Sequence, residues 1–169
     1  KGFIRKEMDM LIRDEKYLIK LNRYILYNSG EYRSMFNFKT RMEYDEYLKY
    51  NQPMTLHNEQ VKSHAELDIA NFLAENRIRY EYEPSYKFKT SDAEHGQYHP
   101  DFYLPDYEIY IEHFGIDENG HVPKYFESTK TKTADEIYHD GMEWKRKTHM
   151  KNNTTLIECY YFEKIKGVL

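Results

Sequence analysis

Asp101 and Glu112 are the residues whose placement suggests chemistry. Both lie in YHPDFYLPDYEIYIEHFG, residues 98–115, which otherwise reads as two β-strands joined at the Pro105-Asp106 turn signal. Alternation along the second strand puts Ile109, Ile111 and His113 on one side and Tyr110, Glu112 and Phe114 on the other. Both sides are mainly apolar, so the strand is expected to be central in its sheet. A carboxylate there has no helix end to cap, and burying it alone is costly. Glu112 therefore needs a Lys or Arg partner, or a metal cation. Asp101 lies across the hairpin from it. An Asp after Pro can open a turn, yet Phe-Tyr-Leu follows, which reads as strand.

A third acid comes from a helix. SHAELDIANFLAEN, residues 63–76, places Ile69, Ala70 and Leu73 three, four and seven residues beyond Glu66, on its side of the helix. Two readings stay open for Glu66. It can close a capping box by reaching back to the Ser63 amide, or it can join the two strand acids. Three carboxylates brought together cannot all stay ionised unaided. A hard divalent ion, Mg²⁺ or Mn²⁺, would stabilise them. Such an ion acidifies a bound water and neutralises charge on a phosphate, which is phosphodiesterase chemistry.

The elements that must position these residues follow from periodicity. Helical spacing is expected over 3–27, then over 36–50 up to Asn51-Gln52-Pro53, then over 63–76 and about 134–150. Strand patterns cover 79–86, 98–105, 107–115 and 154–162. From residue 62 the order is helix, three strands, helix, strand, which implies an α/β fold with a mixed sheet flanked by helices. Residues 1–53 read as an N-terminal helical hairpin and 54–169 as the domain bearing the acids.

These residues resemble a known family. Glu66, Pro100-Asp101 and Glu112 match the acidic part of the PD-(D/E)xK nuclease pattern. VKSHAELDIANFLAENRIRYEYEPSY, YHPDFYLPDYEIYIEHFGID and YHDGMEWKRKTH resemble a segment of some bacterial superfamily 1 DNA helicases of the UvrD and helicase IV kind. The likeness covers about residues 54–162. It implies a restriction-endonuclease-like fold, metal held by Glu66, Asp101 and Glu112, DNA as partner, and a parent chain with a helicase motor. The alternative it leaves is a catalytically inactive DNA-binding module of the same fold, guiding DNA to the motor.

The pattern calls for Lys two residues after the strand Glu, and this chain has Phe114 there. Lys145 is the expected replacement. Tyr138, Met142, Lys145 and His149 recur at steps of four, three and four, so they share one side of the last long helix. The competing reading places Lys145 in a solvated Lys145-Arg146-Lys147 run. His113 is a second candidate, but alternation turns it away from Glu112. Lys130, Lys132, Arg146, Lys147 and Lys151 cluster with Lys145 late in the chain and are expected to track a DNA backbone, although Asp135, Glu136, Asp140 and Glu143 dilute their potential.

Composition narrows the classes. The 169 residues carry a net charge of −4, which argues against a strong non-specific DNA binder. The apolar content is aromatic, with 18 Tyr and 9 Phe, suited to a core edge that is partly wet or to stacking on bases. A single cysteine, Cys159, excludes an internal disulfide and fits a reducing cytoplasm; it sits in an apolar strand pattern where a thiol is inert. No GxxxxGK[ST] loop is present, so no ATP site is expected in this segment. His99-x-Asp101 and Glu112-His113 lack any zinc spacing. No apolar run reaches the ~20 residues of a membrane span. The chain opens on Lys, so a longer parent is expected.

Overall fold

The computed structural model describes residues 13, 14, 17, 18, 33–51, 53–93 and 95–169. The helix expected over 3–27 lies almost wholly outside the described residues. Within them, the Leu18 amide donates to the Asp14 carbonyl at 2.9 Å, a single helical bond.

The hairpin forms where the turn signal put it. β2 (Phe102–Leu104) and β3 (Ile109–Phe114) pair antiparallel, with Phe102 opposite Ile111 and Leu104 opposite Ile109. Pro105 to Glu108 make the turn, and Glu108 takes a left-handed φ of 55° to close it. The strand expected over 79–86 shrinks to β1 (Glu81–Tyr82), paired antiparallel with β2. It stops because Glu83 adopts φ 46° and Pro84 follows. The Glu83 amide still donates to the Asp101 carbonyl at 2.9 Å, which ties the chain to the start of β2.

Long helix α3 (Ala134–Lys151) then crosses over, and β4 (Thr155–Tyr160) lies parallel to β3, with Glu112 beside Glu158. Thr133 and Glu136 form a full capping box that fixes where α3 begins. The sheet order is β1-β2-β3-β4, antiparallel except for the last pair.

Apolar burial then stacks one helix on each sheet face. α2 (His64–Glu75) sends Ile69, Ala70 and Leu73 against Phe102, Leu104 and Ile111. On the other face, Met142 of α3 packs with Phe114, Ile116 and Val122, while Trp144 meets Tyr86, Tyr98 and Tyr110. The expected α/β architecture, a mixed sheet between helices, is the one observed.

The helix expected over 36–50 divides into a 3₁₀ turn (Met35–Asn37) and α1 (Arg41–Asn51), because Phe38 is extended at φ −95°, ψ 144°. This segment packs through Phe38 and Tyr44 on Tyr125, and Tyr47 meets His64 at 5.5 Å between ring centres. The strand expected to run to 162 ends at Tyr160. A short helix, α4 (Tyr161–Lys166), follows and docks on α2 through an ion pair between Lys164 and Asp68.

Candidate active site

Glu112 is fully buried at the middle of β3. One carboxylate oxygen accepts a hydrogen bond from the Tyr98 hydroxyl at 2.6 Å. The other accepts one from the Lys145 ammonium. The α3 stripe is the cause: Met142 and His149 are buried and Tyr138 is half-buried, which turns the intervening Lys145 down toward the sheet. Its Nζ also stands 5.4 Å from the centre of the Phe114 ring. Phe114 is two residues beyond Glu112 on the same strand face, so an ammonium from the helix covers the place where a strand lysine would have projected.

Tyr98 leads to a relay of neutral groups. His149 Nε2 lies 3.2 Å from the Tyr98 hydroxyl, His149 Nδ1 lies 2.8 Å from Thr154 Oγ1, and that oxygen meets the Tyr86 hydroxyl at 2.6 Å. Burial, and secondarily the Lys145 charge, hold the imidazole down to about 4, so it is neutral. Tyr98 spends its one proton on Glu112, so His149 must donate through Nε2 and accept at Nδ1 from Thr154. Every hydroxyl in the chain thus has a fixed direction pointing at Glu112. Neither Tyr98 nor His149 was assigned a role from sequence. The signal for His149 was its place on the Lys145 stripe; Tyr98 carried none beyond preceding Pro100-Asp101.

Asp101 precedes β2. Its Oδ2 accepts from the His113 amide at 2.7 Å, and its Oδ1 has no hydrogen-bond partner among the described residues. Burial pushes this carboxyl well above the usual range; the charges of Glu112 and Glu66 push the same way, against Lys145 and the His113 amide. Asp101 therefore feels both of the other acids. Glu66 is raised as well, chiefly by burial, opposed by three donors. Tyr82 donates to its Oε2 at 2.6 Å, the Lys62 amide to the same oxygen at 2.9 Å, and the Ser63 hydroxyl to Oε1 at 2.9 Å. The capping role is thus present but displaced by one residue: Glu66 reaches the Lys62 amide, not that of Ser63.

Among the described residues, no three His, Cys, Asp or Glu side chains stand close enough together to enclose an ion. Asp101, just before β2, and Glu112, on the adjacent β3, form the pair whose hard oxygens suit a divalent cation. Glu66 is held by its own donors at the edge of that pair. His113 points to the opposite sheet face, as alternation requires. It is lowered to about 4 by burial, with Lys164 as a secondary cause, so it supplies no cation at the site.

The late basic residues do not form one surface. Arg146 grips Glu158 through Nε and Nη2, both at 2.7 Å. Lys132 pairs with Asp140, and Lys147 lies 3.7 Å from Glu143. Lys130 and Lys151 are exposed. Cys159 is pushed up to about 11, first by burial, which keeps it a thiol. No helix among the described residues is long and apolar enough to cross a membrane.

No family model matches the chain, and no curated protein or solved structure matches it.

Proposed function

We propose that this chain is a DNA-processing domain with a restriction-endonuclease-like fold and a metal-dependent phosphodiesterase site, a PD-(D/E)xK module of a superfamily 1 helicase acting in the cytoplasm. The single observation that carries the reading is the Lys145 ammonium, donated to Glu112 and lying over Phe114. A folding chain gains little from burying a lone carboxylate in a central strand and then supplying its cation from a distant helix. A site that handles phosphate needs both.

Asp101 Oδ1 and Glu112 would hold Mg²⁺ or Mn²⁺, and the ion, when bound, would supply charge neutralisation and an acidified water. The chain's own groups do the rest. Lys145 would offer an Nζ donor to a phosphate oxygen entering beside Glu112. Tyr98 and His149 hold the Glu112 carboxylate in one orientation. Glu66 adds negative potential that favours a cation at Asp101. ATP chemistry would belong to motor domains of the parent chain.

The second reading is a DNA-binding module without cleavage. It is favoured by the fact that both Glu112 oxygens already have partners, Tyr98 and Lys145. One experiment separates the two. The chain is incubated with linear and branched DNA in Mg²⁺ or Mn²⁺, alongside Glu112→Ala. Metal-dependent cutting abolished by the substitution supports the enzyme. Binding without cutting, indifferent to metal, supports the module and ends the nuclease reading.

A further inference from the structure

A cleft of about 220 Å³ opens beside Glu66. It is built from several separate parts of the chain. Arg33 comes from the segment before α1 and Arg41 opens that helix, Lys62 lies just before α2 and Glu66 in its first turn, His113 and Gly115 flank the end of β3, and Phe126 and Tyr138 come from the later loop and α3. Three cations face one carboxylate across it. His64, which also lines it, is pulled down to about 4 by burial and Lys164 and adds no charge. The floor is kept low at Gly115, where a Cβ would stand 3.1 Å from the Met35 methyl.

These cations are held differently from Arg146. Arg33 makes no ion pair among the described residues; its guanidinium lies 4.4 Å from the Phe38 ring centre. Arg41 pairs with Asp45, and both side chains are more than half exposed. Lys62 pairs with Glu83 while 72% exposed. Exposed pairs of this kind exchange readily for phosphate oxygens. Arg146, forked onto Glu158, does not.

We propose that this cleft is the entry groove for a single nucleic-acid strand, with Arg33, Arg41 and Lys62 holding successive phosphates and leading the strand to Glu66. A basic groove walled by aromatic rings, here Phe126 and Tyr138, is the pattern that tracks single strands. Such walls can stack on unpaired bases, which a duplex keeps stacked within itself. The assignment rests on the nuclease-like reading only for what happens to the strand at the inner end.

The test uses the 169-residue chain and a fluorescent single-stranded oligonucleotide, read by anisotropy over a range of salt, with a blunt duplex of the same sequence as competitor. Arg33→Glu, Arg41→Glu and Lys62→Glu are each expected to weaken single-strand binding at least fivefold. Neutralising all three is expected to reduce the salt slope by about 2, from ~0.7 per phosphate contact on a single strand. Lys130→Glu and Lys151→Glu should change binding less than twofold. The proposal is overturned if the cleft variants bind within twofold of the parent, if the blunt duplex competes as well as the single strand, or if no oligonucleotide binds. Metal-dependent cutting is scored separately. Cutting that persists when the cleft variants have no effect removes the groove and leaves the site. Weakened binding in a chain that never cuts leaves the groove and removes the nuclease.

Discussion

Two acids sit side by side on the parallel strands, Glu112 on β3 and Glu158 on β4, and two consecutive residues of α3 reach down to them. Arg146 meets Glu158 with a two-pronged grip, reinforced by Tyr160. The Glu158 carboxyl is held below its usual range, with Arg146 the first cause. Both charges are satisfied and the pair is partly open to solvent. Lys145 meets Glu112 as a single point charge in a buried place, and the neighbouring Asp101 is driven upward, after burial itself, by Glu112 and Glu66. One arrangement is complete as it stands. The other sets a second carboxyl beside an acid that already has its lysine, and burial together with the nearby acids holds that second carboxyl above its usual range.

Substitutions at consecutive helix positions test whether that contrast is real. Lys145→Met should lower cutting by about 10²–10³-fold, the usual loss for one aimed donor. It should also cost about 3–5 kcal/mol in urea unfolding, because Glu112 is left charged and buried. Lys145→Met with Glu112→Gln should recover much of the stability and none of the cutting. A double variant as unstable as Lys145→Met alone would show that packing, not charge, is at stake.

Tyr98→Phe comes next. It removes the donor to Glu112 Oε1 and should cost about 1–3 kcal/mol in the same assay. The pH dependence is a third probe. His149 has a folded value of about 4 against about 6.5 unfolded, so its contribution is full above pH 6.5 and is lost as pH falls toward 4. From pH 7 to pH 5 the parent should lose about 2 kcal/mol more stability than His149→Gln. Equal losses would mean that the imidazole is already charged in the folded chain. The smallest effect belongs to Arg146→Met, about 1 kcal/mol in stability with cutting unchanged within twofold. A large drop in cutting there would erase the distinction between the two pairs.

What the sequence disclosed depends on how local the determinant was. The hairpin, the long crossover helix and the inward turn of Lys145 all follow from short periodic patterns, and each is where those patterns put it. β1 was overestimated because nothing in RYEYEPSY announces that Glu83 takes a left-handed backbone. α4 was missed because Tyr160, Tyr161 and Phe162 extend the apolar run of β4, while the helix is started by Glu163 accepting from the Tyr160 amide at 2.7 Å. Arg146 read as a DNA contact because its partner, Glu158, lies on the next strand. Arg33, Arg41 and Lys62 drew no notice for the same reason: they belong to one wall only after α1, α2 and β3 have packed.

The lysine's origin on α3 also dictates an order of events during folding. The β2–β3 hairpin needs only local pairing and brings Asp101 and Glu112 together early. The ammonium comes from a segment more than thirty residues away, which must close over the sheet before it can reach Glu112. An immature chain would thus present its acids without their counter-charge until α3 has docked.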